Sequence, residues 1–271
     1  MHNPALRQLF DHFWRDYSGI TPQAPRIHEL LTARGETVAN DHVAFRTYDL
    51  DPIDLESLAP IFVRLGYQPT GEYEFPEKKL RARSFAHTEG WPHVFISELL
   101  TRQCSTGLQQ IVHGLVEQVP RERRASVDLL TLAPSWRPVP YSDYATLLGE
   151  SEYAGWLAAY GLRVNHFTVL VNALRTFGSI QELNAFLQQQ GFPLNESGGV
   201  VKGTPEQLLE QSSTLASRIE WEFAGGERRV VPGCYYEFAR RYDDPATGKL
   251  YGGFMAKSAD RIFESTDTGN L

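Results

Sequence analysis

Two histidine-led stretches, each followed by an amphipathic helix that stops at a glycine, constrain this chain more than any other feature. The first is Asp41-His42-Val43-Ala44-Phe45-Arg46-Thr47-Tyr48 and the second is Asn165-His166-Phe167-Thr168-Val169-Leu170-Val171. Their β-branched and aromatic content reads as strand. After the first, Asp51-Pro52-Ile53-Asp54 opens a helix carrying Leu55, Leu58, Ile61, Phe62 and Leu65, closed by Gly66. Extended segments follow at Tyr67 to Phe75, Arg81 to His87 and His93 to Leu99. After the second, a helix from Ser179 to Gln190 buries Ile180, Leu183, Phe186 and Leu187 and ends at Gly191. Strands are expected next at Phe192 to Glu196, near Ser217 to Phe223, and at Cys234 to Arg241. The helix ends echo each other, Leu65-Gly66-Tyr67-Gln68-Pro69 against Gln190-Gly191-Phe192-Pro193. The pattern predicts an α+β chain in which one β-α-β-β-β unit is used twice.

That plan resembles the vicinal-oxygen-chelate architecture, whose paired modules curl into a cupped sheet around a metal. An unrelated α+β domain with two similar helix ends is the alternative. The expected organisation is a single domain over residues 1–271. N-terminal helices occupy 1–40, a first module 41–99, a helical connection 100–160, and a second module with the C-terminal tail 161–271. Leu6, Leu9, Phe10, Phe13, Trp14 and Tyr17 recur at helical spacing until Ser18-Gly19, and Thr21-Pro22 starts another helix through about Arg34. In the connection Ile111, Leu115 and Val116 share a helix face, and Pro138 and Pro140 break the run.

Charge and cysteine usage exclude several function classes. The net charge is -7, and the basic residues are scattered apart from Arg121-Glu122-Arg123-Arg124, which reads as a solvated helix start. A nucleic-acid footprint needs a basic stripe, so none is expected. Cys104 and Cys234 are the only cysteines, too few for a disulfide framework. The N-terminus lacks an apolar signal core, and no apolar run approaches the roughly 20 residues of a membrane helix. The expectation is a cytoplasmic protein without nucleic-acid or membrane partners; oligomeric state is not legible.

Along a strand side chains alternate faces, so His42, Ala44, Arg46 and Tyr48 share one face and Val43, Phe45 and Thr47 the other. The first face is too polar for a plain core and suggests a pocket for an anionic small molecule. A catalytic metal needs converging ligands with open positions, for non-haem iron two histidines and one carboxylate. His2, His12, His28 and His113 sit at the terminus or on helices, where surface or core roles suffice. His87 and His93 flank a turn, Glu89-Gly90-Trp91-Pro92, and are possible ligands, though the turn context favours exposed histidines. His42 and His166 hold equivalent places in the two units and are the candidate ligands, though a lone strand histidine also serves as a satisfied core residue. Glu237, in Tyr235-Tyr236-Glu237-Phe238-Ala239-Arg240-Arg241, is the candidate carboxylate; an ion pair with Arg241 or Arg240 would explain it equally. Glu98, at the matching last-strand position of the first unit, is a reserve ligand or a mere edge carboxylate. Arg46 would clamp a substrate carboxylate bidentately, or else pair with Asp41, Asp49 or Glu237. No nucleotide-binding glycine motif or nucleophile elbow is present, and Gly198 to Pro205 reads as a loop.

These motifs, together with Asp244-Pro245-Ala246-Thr247-Gly248-Lys249-Leu250-Tyr251 and Ser258-Ala259-Asp260-Arg261-Ile262-Phe263-Glu264-Ser265, resemble the 2-oxoadipate dioxygenase/decarboxylase (2-hydroxyglutarate synthase) family across nearly the whole chain. The resemblance implies a vicinal-oxygen-chelate-like fold and one Fe(II), with Zn, Ni or Mn as substitutes in purified protein. It implies His42, His166 and Glu237 as metal ligands, Arg46 as the carboxylate grip and Ser258 at the distal end of the substrate. The partners would be a 2-oxo acid and dioxygen, with 2-oxoadipate converted to 2-hydroxyglutarate and carbon dioxide late in lysine breakdown. The chain is shorter than the best-known members, so contacts from their extra region are not carried over. A non-redox isomerase or hydrolase of the same architecture, or a metal-bearing protein that binds a small acid, are the competing readings.

Overall fold

The computed structural model describes residues 3–132 and 134–254. Two helices lead, α1 (Pro4–Ile20) and α2 (Gln23–Ala33). The first module is β1 (Asn40–Tyr48), α3 (Leu55–Arg64), β2 (Tyr67–Phe75), β3 (Leu80–His87) and β4 (His93–Leu99). The connection carries α4 (Thr106–Val116), α5 (Asp128–Thr131), α6 (Tyr141–Glu150) and α7 (Glu152–Tyr160). The second module is β5 (Val164–Leu170), α8 (Ile180–Gln189), β6 (Lys202–Thr204), β7 (Leu209–Ser213) and β10 (Glu237–Arg241), with a hairpin of β8 (Arg218–Glu222) and β9 (Arg228–Pro232) inserted before its last strand. None of the helices among the described residues is long and apolar enough to cross a membrane.

Among the described residues the main sheet has eight strands in the order β2-β3-β4-β1-β5-β10-β7-β6. The order is the same from either edge: each module runs second, third, fourth and first strand inward. Within each module the first and last strands pair in parallel, β1 with β4 and β5 with β10. The modules join where β1 meets β5 antiparallel. This is the cupped vicinal-oxygen-chelate arrangement that the repeat implied.

Local chemistry explains the matched helices. Asp54 caps α3 by accepting from Ser57 N, and Ser179 caps α8 by accepting from Glu182 N. Both helices end at a glycine with positive φ, +96° at Gly66 and +82° at Gly191, which closes the last turn without a Cβ clash.

The second module departs from expectation in its middle strands. No strand forms at Phe192 to Glu196, where only Leu194 makes an isolated bridge to Thr214. The Ser217-to-Phe223 segment does form a strand, but it pairs with β9 outside the main sheet. The sheet position belongs instead to β7, Leu209-Glu210-Gln211-Ser212-Ser213, buried at every residue though four of the five are polar. Its apolar alternation is absent because both faces carry polar side chains: Gln211 donates to Glu237, while Ser212 donates to Asn184 and Glu210 accepts from Gln181, both on α8. The β8 segment alternates Ile219 and Trp221 with charge and so mimics a half-buried strand. β6 lies within the stretch read as loop. The Arg121 cluster is a single 3-10 turn, with Arg121 and Arg124 beside Asp51.

Strand β1 is covered on both faces. Phe45 packs outward on Phe13 of α1 and Phe62 of α3, with ring centroids 5.2 and 5.5 Å apart. On the inner side Tyr48 donates to Ala154 O at 2.8 Å, and Tyr153 donates to Ser97 O at 2.6 Å while accepting from Thr47 N at 3.0 Å. Seven of the nine residues of α7 are buried, so this helix fills part of the cup.

Glu36 fastens the entry to β1. Its carboxylate accepts from Arg175 N and Thr176 N, both at 2.7 Å, and from Thr176 Oγ1 at 2.5 Å. Burial alone would raise this carboxyl, but these donors and Arg175 outweigh it and hold it below its ordinary 4.5. A carboxyl depressed by folding adds stability above its ordinary value that is lost as pH falls through the folded value. Glu36→Gln is expected to cost about 1–2 kcal/mol at neutral pH, with the gap to wild type closing in acid below about pH 4.5. Urea unfolding across that range checks this; a gap independent of pH would refute it.

Candidate metal centre

Three adjacent strands place the candidate ligands. In the β1–β5 register His42 faces Thr168 and Ala44 faces His166, so the two histidines are diagonal neighbours on one face. In the β5–β10 register Glu237 also faces Thr168. Thr168 is thus the shared centre, its hydroxyl 3.1 Å from His42 Nε2.

The side chains converge in a triangle. His42 Nε2 lies 3.4 Å from both His166 Nε2 and Glu237 Oε1, and His166 Nε2 lies 3.4 Å from Glu237 Oε2. All three residues are buried. Donors about 2.1 Å from a common ion at right angles would be about 3 Å apart, close to what is seen. Glu237 Oε2 has no hydrogen-bond donor among the described residues. A buried carboxylate oxygen left so is costly unless a cation meets it. Two imidazole nitrogens and this carboxylate therefore fit a divalent metal.

The surroundings prepare both imidazoles. Asp41 Oδ2 lies 2.7 Å from His42 Nδ1, and Asn165 Oδ1 lies 3.1 Å from His166 Nδ1. Each acceptor calls for a proton on Nδ1, which leaves the Nε2 lone pair aimed into the triangle. Burial, with the charges of His42 and Arg46, pushes His166 well below its ordinary 6.5 and keeps it neutral. Burial raises the Glu237 carboxyl, opposed by His42 and by Gln211, whose amide donates to Oε1 at 2.6 Å. Burial would also raise Asp41, but Arg241 overcomes it and holds that carboxyl far below its usual range. Arg241 donates to Asp41 Oδ1 at 2.6 Å and Oδ2 at 2.9 Å, and to the carbonyls of Tyr251 and Gly253 at 2.8 Å each.

Arg46 points into the same face and is 1% exposed. Its guanidinium lies over the rings of Tyr153 and Trp156, at 4.9 and 5.1 Å, with Nη1 3.4 Å from Glu152 Oε2. Its carboxylate neighbour on α7 is none of the three the sequence offered: Asp41 pairs with Arg241, Asp49 accepts from Thr101, and Glu237 joins the triangle. Likewise Glu237 is not paired with Arg241 or Arg240. Glu98 is no reserve ligand, since it accepts from Leu55 N and pairs with Arg81 away from the triangle.

His93 pairs in register with His42 but packs against Phe254, and burial pushes it down to about 4. His87 binds Leu65 O. Ser258 and the motif from Ser258 to Ser265 lie outside the described residues, as does His2. The roles of Gln211, Thr168, Asn165 and the aromatic face of α7 are not legible in the sequence. Only the pairing of each histidine with a preceding Asp or Asn could have signalled one of them.

A family model described as 2-oxoadipate dioxygenase/decarboxylase matches residues 1–243. A 2-oxoadipate dioxygenase/decarboxylase, chloroplastic/amyloplastic, from Oryza sativa subsp. japonica is 34% identical over 290 residues, covering 98% of this chain and 80% of the relative. The crystal structure of the hydroxyglutarate synthase from Oryza sativa in complex with 2-oxoadipate is 34% identical with a TM-score of 0.91, covering 97% of this chain and 92% of that one. A putative hydrolase from Shewanella frigidimarina NCIMB 400 is 45% identical with a TM-score of 0.86, covering 92% and 97% of the two chains.

Proposed function

The chain belongs to the 2-oxoadipate dioxygenase/decarboxylase family, and from that premise we propose that His42, His166 and Glu237 hold Fe(II) for the conversion of 2-oxoadipate and dioxygen to 2-hydroxyglutarate and carbon dioxide. The observation that carries the reading is the buried triangle with its unmatched carboxylate oxygen. Held by His42, His166 and Glu237, the iron would supply the dioxygen chemistry and Lewis acidity toward a 2-oxo acid. The protein's own residues bind, orient and exclude water. The atoms balance: one six-carbon 2-oxo diacid and O2 give a five-carbon hydroxy diacid and CO2.

Arg46 is the carboxylate grip. Its planar fork is braced by Tyr153 and Trp156, so its geometry is set before the substrate arrives. Glu152 holds the guanidinium until a substrate carboxylate takes up the fork. Ser258 is assigned the distal end of the substrate, as the family motif implies. The reaction is placed late in lysine breakdown. Family membership favours the dioxygenase over the non-redox and acid-binding readings.

Oxygen uptake after anaerobic Fe(II) loading, run against a panel of 2-oxo acids, tests the activity. Uptake coupled to carbon dioxide release with 2-oxoadipate is expected; no stimulation by any 2-oxo acid would sink the reading. Arg46→Lys should keep stoichiometric metal while raising KM for 2-oxoadipate roughly ten- to a hundredfold, because an ammonium cannot make the paired bonds. An unchanged KM would remove the grip from Arg46.

A further inference from the structure

Tyr235 stands two residues before Glu237, and its ring stacks on the His166 imidazole with centroids 4.8 Å apart and planes 25° from parallel. The side chain is fully buried, yet its hydroxyl has no hydrogen-bond partner among the described residues. Buried phenols ordinarily find one. The charges acting on this hydroxyl are those of Glu237, then Arg46 and Glu152. On an extended chain Tyr235 shares a face with Glu237, two residues on, and with its ring on His166 it sits at the edge of the triangle.

Neighbouring Tyr236 supplies the contrast. Its hydroxyl also lacks a partner, but its ring faces outward against Trp14, Tyr17 and Phe238, and no charged group acts on it. That ring is packing. For Tyr235, stacking on His166 alone would be served better by phenylalanine, which strands no polar atom. A hydroxyl retained in a charged, buried space needs an acceptor that arrives later, and a 2-oxo dicarboxylate brings carboxylate and keto oxygens.

We propose that the Tyr235 hydroxyl is a substrate contact, donating a hydrogen bond to an oxygen of the 2-oxo acid as it spans from the triangle to Arg46. The assignment rests on the family reading of the site. The phenol stays protonated throughout and transfers nothing. It orients the substrate.

Tyr235→Phe keeps the ring on His166 and deletes only the oxygen. The variant should hold stoichiometric metal and melt at the same temperature as wild type or higher. Its kcat/KM for 2-oxoadipate should fall roughly ten- to a hundredfold, the weight of one hydrogen bond to a charged acceptor. The Kd for 2-oxoadipate, measured by calorimetry on Zn(II)-loaded protein where turnover is absent, should rise by a similar factor. A lower melting temperature with unchanged kcat/KM and Kd would mark a structural role and overturn the proposal, as would loss of the metal. If wild type binds and turns over 2-oxoadipate and the variant equals it, the tyrosine contact falls and the family reading stands. If wild type neither binds nor turns over any 2-oxo acid, both fall together.

Discussion

Glu237→Gln is expected to leave the protein folded, without stoichiometric metal, and more stable than wild type in the metal-free state. The wild-type carboxyl is buried, raised by that burial, and has one oxygen with no donor. A neutral amide of the same shape relieves the desolvation of a charge while still accepting from Gln211, a gain of about 1–3 kcal/mol. The same change removes the only anionic ligand of the triangle, and activity should fall by roughly three orders of magnitude or more, since a bound metal supplies several kcal/mol of transition-state stabilisation. His42→Ala and His166→Ala should lose the metal too. Elemental analysis beside urea unfolding of the metal-free forms checks both halves. Retained stoichiometric metal in any one variant would remove that residue from the triangle.

Arg241→Ala carries the second large effect. The guanidinium is 5% exposed, holds both oxygens of Asp41 and ties down two carbonyls of the C-terminal segment. Removing it leaves the buried Asp41 charge without its counter-ion and with only the His42 hydrogen bond, which costs about 3–5 kcal/mol. Asp41 is also the acceptor that fixes the His42 ring, and losing such an outer partner weakens metal affinity about ten- to a hundredfold. The double variant with Asp41→Ala should be less destabilised than the sum of the two singles, because the unpaired charge is gone. A loss below about 1 kcal/mol with unchanged metal affinity would refute the role.

Much of the site was legible because strands announce their faces. The two-residue period put His42 with Arg46, and the duplicated plan put His166 opposite. Glu237 followed from the last strand of the second unit. Other parts were not legible for identifiable reasons. β7 carries Glu210, Gln211, Ser212 and Ser213, so the alternation that reveals a strand is missing: Gln211 turns to Glu237, while Glu210 and Ser212 bond to α8 on the other face. The β8 hairpin has that alternation and lies outside the main sheet. Local pattern offers Arg46 the acids Asp41, Asp49 and Glu237, yet its neighbour Glu152 comes from a connecting helix 106 residues away. α7 itself reads only as an apolar helix, and nothing in its composition says that it enters the cup.

The sequence by itself determined the candidate ligand types, the strands that bear them and the faces they take, because these depend on local dihedral geometry and short-range periodicity. Only the tertiary structure decided that β1, β5 and β10 lie side by side with Thr168 at their centre. It alone decided that Arg241 reaches back 200 residues to Asp41, and that α7 delivers Glu152, Tyr153 and Trp156 to Arg46. Strand order and helix docking are set by burial of surfaces far apart in the chain, a long-range balance that local pattern does not encode.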